Sequence, residues 1–192
     1  MLVSKISGNN TLYADYIIWG LVFGCVGDVM LHSLSGKMWH FAIGVVSFLV
    51  GHIFYIIAIQ KAIFATYPAS NAIEWYEIAP VALFIAVACF ICRKQFKKQP
   101  AIVAGLAVYG TVLVLMLVKA VRYAVGEIAY GTNDNMLALS LTIGLGAILF
   151  VVSDLILGVI LSKNGETKRI TRIVNIVTYY LCLLYTSPSP RD

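Results

Sequence analysis

Apolar residues gather in long runs separated by short polar breaks, and the length of each run decides what it can be. Five runs read as membrane helices: Tyr13 to Leu34, Trp39 to Ile59, Glu77 to Cys92, Ala101 to Lys119 and Met136 to Leu161. A hydrocarbon core takes about 20 helical residues, so the third run is short and the fifth has length to tilt. A sixth run starts near Ile173 and stops at about Tyr185, which is too short to cross. The breaks carry turn and cap chemistry: Ser33 to Lys37, then Thr66 to Ser70 around Pro68, then Pro100 at the start of the fourth run.

Composition agrees with this pattern. The 192 residues are 60% hydrophobic and only 12% charged, with a mean hydropathy of +0.88. Soluble domains average about 25% charged residues, so this chain cannot cover a water-facing surface, and a soluble enzyme is excluded. The predicted fold is all-α: a polytopic transmembrane bundle of five full helices plus one shortened helix. Cys25, Cys89 and Cys92 stand in apolar runs and read as small packing residues, not as a disulfide framework.

The net charge of +5 does not point to nucleic acid, because the basic residues sit in the connections. The first, third and fifth connections hold Lys37, then Arg93, Lys94, Lys97 and Lys98, then Lys163, Lys168, Arg169 and Arg172. The opposite side is assigned Lys5, Lys61, Lys119 and Arg122, diluted by Glu74, Glu77, Glu127 and Asp134. The positive-inside rule then puts the first set in the cytoplasm and the N-terminus of this chain outside. No charged, apolar and small-residue series of a cleaved leader opens the chain. Residues 1–181 are expected to form one transmembrane domain. The run from Cys182 to Asp192, CLLYTSPSPRD, resembles translated sequencing-adapter read-through and is given no functional weight.

Candidate chemistry comes from ionisable groups inside the runs. A charged side chain at the centre of a membrane helix costs about 2.5 to 3.5 kcal/mol on insertion scales, so such a group is a functional candidate by default. Asp28 and Asp154 lie six to seven residues before the ends of the first and fifth runs, which at 1.5 Å per residue predicts a common depth of about 10 Å. Gly20, Gly24 and Asp28 form an i, i+4 row, a seam of small residues that lets another helix approach. Asp154 and Gly158 repeat the spacing, with Ala147 and Val151 on an adjoining stripe and Ser153 beside the aspartate. On the second run, Ser47, Gly51 and Tyr55 form a row and His52 lies i, i+3 from Tyr55. That pair is either a hydrogen-bonding contact between helices or part of a site. Thr178, Tyr179 and Tyr180 fall near the depth of the aspartates, where tyrosine is also a common interfacial anchor.

Neither GxSxG nor HExxH occurs. Asp28 and His32 are i, i+4 and His40 opens the next run, a spacing that could hold zinc, although His40 and His52 are about 18 Å apart along one helix.

GDVML from Gly27 to Leu31, Gly44, Phe48, HIFY from His52 to Tyr55, GAILFVVSDLIL from Gly146 to Leu157 and TYY from Thr178 to Tyr180 together resemble the YhhN-type lysoplasmalogenase family, over about Trp19 to Tyr180. The resemblance implies an eight-helix bundle, of which this chain would lack the first helix and much of the last. It also implies a multi-pass protein of a bacterial inner membrane that hydrolyses the vinyl ether of lysoplasmalogens. The products would be a fatty aldehyde and a glycerophospho-base. A glutamine that the family carries soon after TYY is not found here.

The residues suit that chemistry. Cleaving a vinyl ether requires protonation at carbon and stabilisation of an oxocarbenium ion that water captures. Two carboxyls in low-dielectric surroundings can share one proton, leaving one as acid and the other as anion, as paired carboxylates do in glycosidases. Asp28 and Asp154 are the expected catalytic pair, their individual roles unassigned. His52, Tyr55 and Ser153 are expected to contact substrate or water, and Tyr179 to close the pocket. No metal or other cofactor is expected; the partners are a lysophospholipid and the bilayer. Two other readings remain: a zinc-dependent amidase of the ceramidase type using Asp28, His32 and His40, and a proton-coupled carrier in which the aspartates act as a relay.

Overall fold

The computed structural model describes residues 10–32, 38–97, 100–131, 134–162 and 177–178. They form five helices, α1 (Asn10–His32), α2 (Met38–Thr66), α3 (Trp75–Phe96), α4 (Pro100–Tyr130) and α5 (Asp134–Ser162), with no strand among the described residues. Among the described residues four segments are long and apolar enough to cross a membrane: Trp39–Thr66, Trp75–Arg93, Val103–Tyr130 and Asp134–Ile156. Of the sixth run only Val177 and Thr178 are described, and both are helical.

Exposure is distributed as lipid would require. Val29, Leu83, Phe90, Ile128 and Leu155 are each more than 60% exposed, while His52, Glu77, Lys119, Glu127, Ser140 and Ser153 are buried. Hydrocarbon tolerates apolar side chains and penalises polar ones, so the polar groups turn inward. Hydroxyls in the helices are satisfied locally: Thr66 Oγ1 donates to Ala62 O at 3.1 Å, Thr111 Oγ1 to Ala107 O at 2.8 Å and Ser140 Oγ to Leu137 O at 2.9 Å.

The helices outrun the boundaries predicted from hydropathy. α2 extends past Ile59 to Thr66 and α4 past Lys119 to Tyr130. Lys61, Lys119, Arg122, Glu77 and Glu127, assigned above to the external connections, therefore stand inside helices. The physical reason is that a charge ends a span only where it must be hydrated. Lys119 and Glu77 find each other instead, in a buried ion pair. α3 is also longer than predicted, with 22 residues.

Its start is held by one half of a capping box, the Glu77 side chain reaching back to the N-cap residue. The Glu77 carboxylate accepts the backbone N–H of Glu74 at 3.0 Å, and Glu74 accepts both the backbone and side-chain N–H of Asn71 at 3.1 and 3.3 Å. Before it, Tyr67 N donates to Ile63 O and Ser70 N to Tyr67 O, closing the turn around Pro68. At the end of α4, Gly131 N donates to Glu127 O at 2.9 Å. A Cβ on Gly131 would collide with that same carbonyl oxygen, so glycine is required for the cap.

Contacts divide the chain into two compact units, and the division falls within α4 between Lys119 and Ala120. The residues before it and the residues after it are described in turn below.

Candidate functional site

In the first unit, α1 and α2 form an antiparallel pair in direct contact. Glycines make the approach possible. A Cβ on Gly51 would lie 3.0 Å from Gly20 O and 3.6 Å from Gly24 N, so backbone meets backbone there. A Cβ on Gly20 would lie 2.5 Å from Tyr55 Cε1, one on Gly27 2.7 Å from Phe48 Cδ2, and one on Gly44 2.9 Å from Leu31 Cγ. Gly20 of the predicted row thus faces Gly51 and Tyr55, but a Cβ on Gly24 would meet nothing within 4 Å, so the α1 side of the contact runs through Gly20, Gly27 and Leu31 and not along the predicted Gly20, Gly24 and Asp28 row. Away from the glycines, Phe23 stacks on Phe54 with ring centroids 5.7 Å apart. Lys61 lies with Nζ 5.5 Å from the Tyr16 ring centroid, which gives this exposed helical lysine an aromatic neighbour on α1.

Asp28 follows Gly27, which Phe48 covers, and precedes Leu31, which covers Gly44. Its level on the pair is therefore that of Gly44 to Phe48, where Ser47 is buried. The aspartate itself is half-buried. His52 stands one helical turn beyond Phe48 on α2, about 6 Å along the axis, and is 1% exposed. Tyr55 lies 6.5 Å from the imidazole between ring centroids, and Tyr109 of α4 lies closer, at 5.6 Å. Tyr109 was not among the residues singled out from the sequence. It sits in an apolar run far from His52 in the chain, with no local spacing to connect the two.

The other feature missed from sequence is ionic. Lys119 Nζ donates to Gln60 Oε1 at 2.7 Å and to Ala72 O at 2.7 Å, and lies 3.3 and 3.4 Å from the two Glu77 carboxylate oxygens. Lysine and glutamate side chains are 4% and 1% exposed. One ammonium therefore joins α2, the α2–α3 connection and the first turn of α3 to α4. The carboxylate also faces the positive end of the α3 dipole. A signal was present in the sequence: Glu77 stands three residues after Glu74 at the head of an apolar run, and Lys119 interrupts an apolar run that continues beyond it. Charge counted as a loop marker concealed both.

In the second unit, the buried residues of α5 are Ser140, Gly144, Gly146, Ala147, Phe150 and Ser153. A Cβ on Gly144 would lie 3.3 Å from Ala124 Cβ, which brings α5 close to the last part of α4. Ser153 is buried at 3% exposure, Asp154 beside it is half-buried, and Leu155 turns outward at 65%. Asp154 therefore borders the inner face of α5. Tyr123 and Glu127 of α4 are also buried in this unit.

Tyr179 lies outside the described residues, as does the side chain of His32 in the zinc alternative. Among the described residues no three His, Cys, Asp or Glu side chains group as a metal site.

No curated protein and no solved structure matches the chain. The family model described as the YhhN family matches residues 1–185, which is nearly the whole sequence, and the chain belongs to that family.

Proposed function

We propose that this protein is a membrane hydrolase that cleaves the vinyl ether bond of lysoplasmalogens, with a lysophospholipid drawn from the bilayer as substrate. Family membership across residues 1–185 is the observation that carries this reading. The half-burial of Asp28 on the close-packed α1–α2 pair and of Asp154 on α5 is compatible with it, since neither carboxyl is fully turned out toward lipid.

The reaction consumes one water. A carboxylic acid delivers its proton to the alkenyl carbon distal to oxygen, and the adjacent carbon becomes part of an oxocarbenium ion. A carboxylate stabilises that cation and takes a proton from the attacking water. The hemiacetal then collapses, its C–O bond breaks, and the glycerol oxygen leaves with a proton as the fatty aldehyde forms. Asp28 and Asp154 are the candidates for these two roles. General acid–base catalysis of this kind contributes about 10² to 10⁴ in rate. His52, with Tyr55 on the same helix, orients water or the free glycerol hydroxyl, and Ser153 contributes a hydroxyl beside Asp154. Tyr179 is a further candidate for contact with the substrate.

The test compares a lysoplasmalogen with the corresponding ester lysolipid, using purified protein in nanodiscs and reading aldehyde release. The vinyl ether is expected to be turned over and the ester spared. Asp28→Asn and Asp154→Asn should each lower the rate at least about 100-fold, in this chain and at the matching positions of another member of the family. Wild-type rates from both variants would remove the carboxylates from the mechanism.

A further inference from the structure

His52 is the most enclosed of the candidate polar side chains in the first unit, and two phenol rings flank it. Residue spacing alone favours Tyr55, three positions along the same helix, as its partner. The geometry separates the two tyrosines. The Tyr55 ring rests directly on α1, since a Cβ on Gly20 would come within 2.5 to 2.9 Å of three of its carbons. Its edge fills the space that the glycine leaves open, and its centroid is the more distant from the imidazole, at 6.5 Å.

Tyr109 is the nearer ring, 5.6 Å away and inclined by 42°, within the range in which aromatic side chains attract one another. Its rotation about α4 is held from both sides. Leu113 and Met116, one and two turns along the same face, are buried. Gly110, the next residue, receives the Phe84 ring of α3, whose Cζ would lie 2.5 Å from a Cβ at that position. α4 therefore cannot turn Tyr109 away from His52 without driving Gly110 off Phe84.

From this geometry we infer that Tyr109 is the positioning residue for His52: its ring, carried by α4, fixes the orientation of the imidazole, whereas the ring of Tyr55 packs on α1. The catalytic side of this inference rests on the vinyl-ether reading, in which His52 orients water or the glycerol hydroxyl. Tyr109 acts through the imidazole and is not assigned a contact with substrate.

Replacing the ring while keeping an apolar side chain isolates the effect. Tyr109→Leu is expected to lower kcat about two- to tenfold, the scale of one aromatic pair, with KM little changed, and Tyr109→Phe should restore most of the loss because it keeps the ring. In a His52→Gln background the leucine substitution should cost nothing further, since residues acting as a unit are not additive. A second readout does not depend on turnover. The imidazole ¹⁵N resonances of His52 in nanodiscs, assigned by their loss in His52→Gln, should move in Tyr109→Leu and stay close to wild type in Tyr109→Phe. Resonances unmoved by Tyr109→Leu would overturn the inference, as would an equal loss of activity with and without His52. Failure of the wild-type protein to hydrolyse vinyl ethers would instead defeat the proposed function, while the resonances would still decide whether Tyr109 positions His52.

Discussion

The α1–α2 pair and the Lys119 cluster both join helices within one unit, and they do so by opposite means. Between α1 and α2 the contact is dry and steric: glycines remove side chains so that backbones approach, and Tyr55, Phe48 and Leu31 fill the grooves. Around Lys119 it is ionic, with one ammonium shared among a carboxylate, an amide oxygen and a backbone carbonyl. In lipid the hydrophobic effect does not drive helices together, so close packing and polar contacts must do it. The first device fails gradually when a methyl group is added. The second fails abruptly, because a buried charge without its partner has no cheap alternative.

The largest expected effect follows from that contrast. Lys119→Met leaves the Glu77 carboxylate buried without its cation and should cost about 3 to 5 kcal/mol, measured by equilibrium unfolding in mixed micelles. The double variant Lys119→Met, Glu77→Leu removes both charges and should recover most of the loss. If the double variant were as unstable as the single one, the cluster would matter for packing and not for charge.

A smaller effect is expected at the glycines. Gly51→Ala brings a methyl group against the Gly20 carbonyl oxygen at 3.0 Å, where backbone and not a movable side chain must give way. Overpacking of this kind costs about 1 to 3 kcal/mol, read in the same unfolding measurement. A cost near zero would mean that the two helices are not held at backbone contact.

The smallest effect sharpens the comparison within the seam itself. Gly24 belongs to the same i, i+4 row, yet nothing lies within 4 Å of a Cβ built there. Gly24→Ala should therefore be neutral or raise stability by up to about 1 kcal/mol through helix propensity. Destabilisation as large as that of Gly51→Ala would show that proximity in the row, and not the specific contact, sets the penalty.

Legibility followed the range of the interactions involved. Apolar runs predicted α1 to α5 because a membrane helix satisfies its backbone within itself and needs only length and side-chain polarity. The small residues Gly20 and Gly51 and the Gly51, Tyr55 row were visible because helical spacing is local, whereas the place of Gly24 off the contact was not. The same window placed the ends of α2 and α4 early, since Lys61 and Lys119 read as water-facing when counted one residue at a time. Glu77 was treated likewise, although its three-residue spacing from Glu74 held the capping signal. The site divided in the same way: His52 and Tyr55 are neighbours on one helix and could be paired in advance, whereas Tyr109 could not.

The sequence by itself determined that the chain is a set of membrane-length helices, which of their faces are small enough for close approach, and which family it belongs to. Those properties depend on side-chain size, polarity and order along the chain. Only the tertiary structure decided that α1's glycines meet α2, that Lys119 is neutralised by Glu77, and that the ring nearest His52 comes from α4. Each of these is a contact between residues distant in sequence, where attraction acts over a few ångströms and depends on how each helix is rotated against its neighbours.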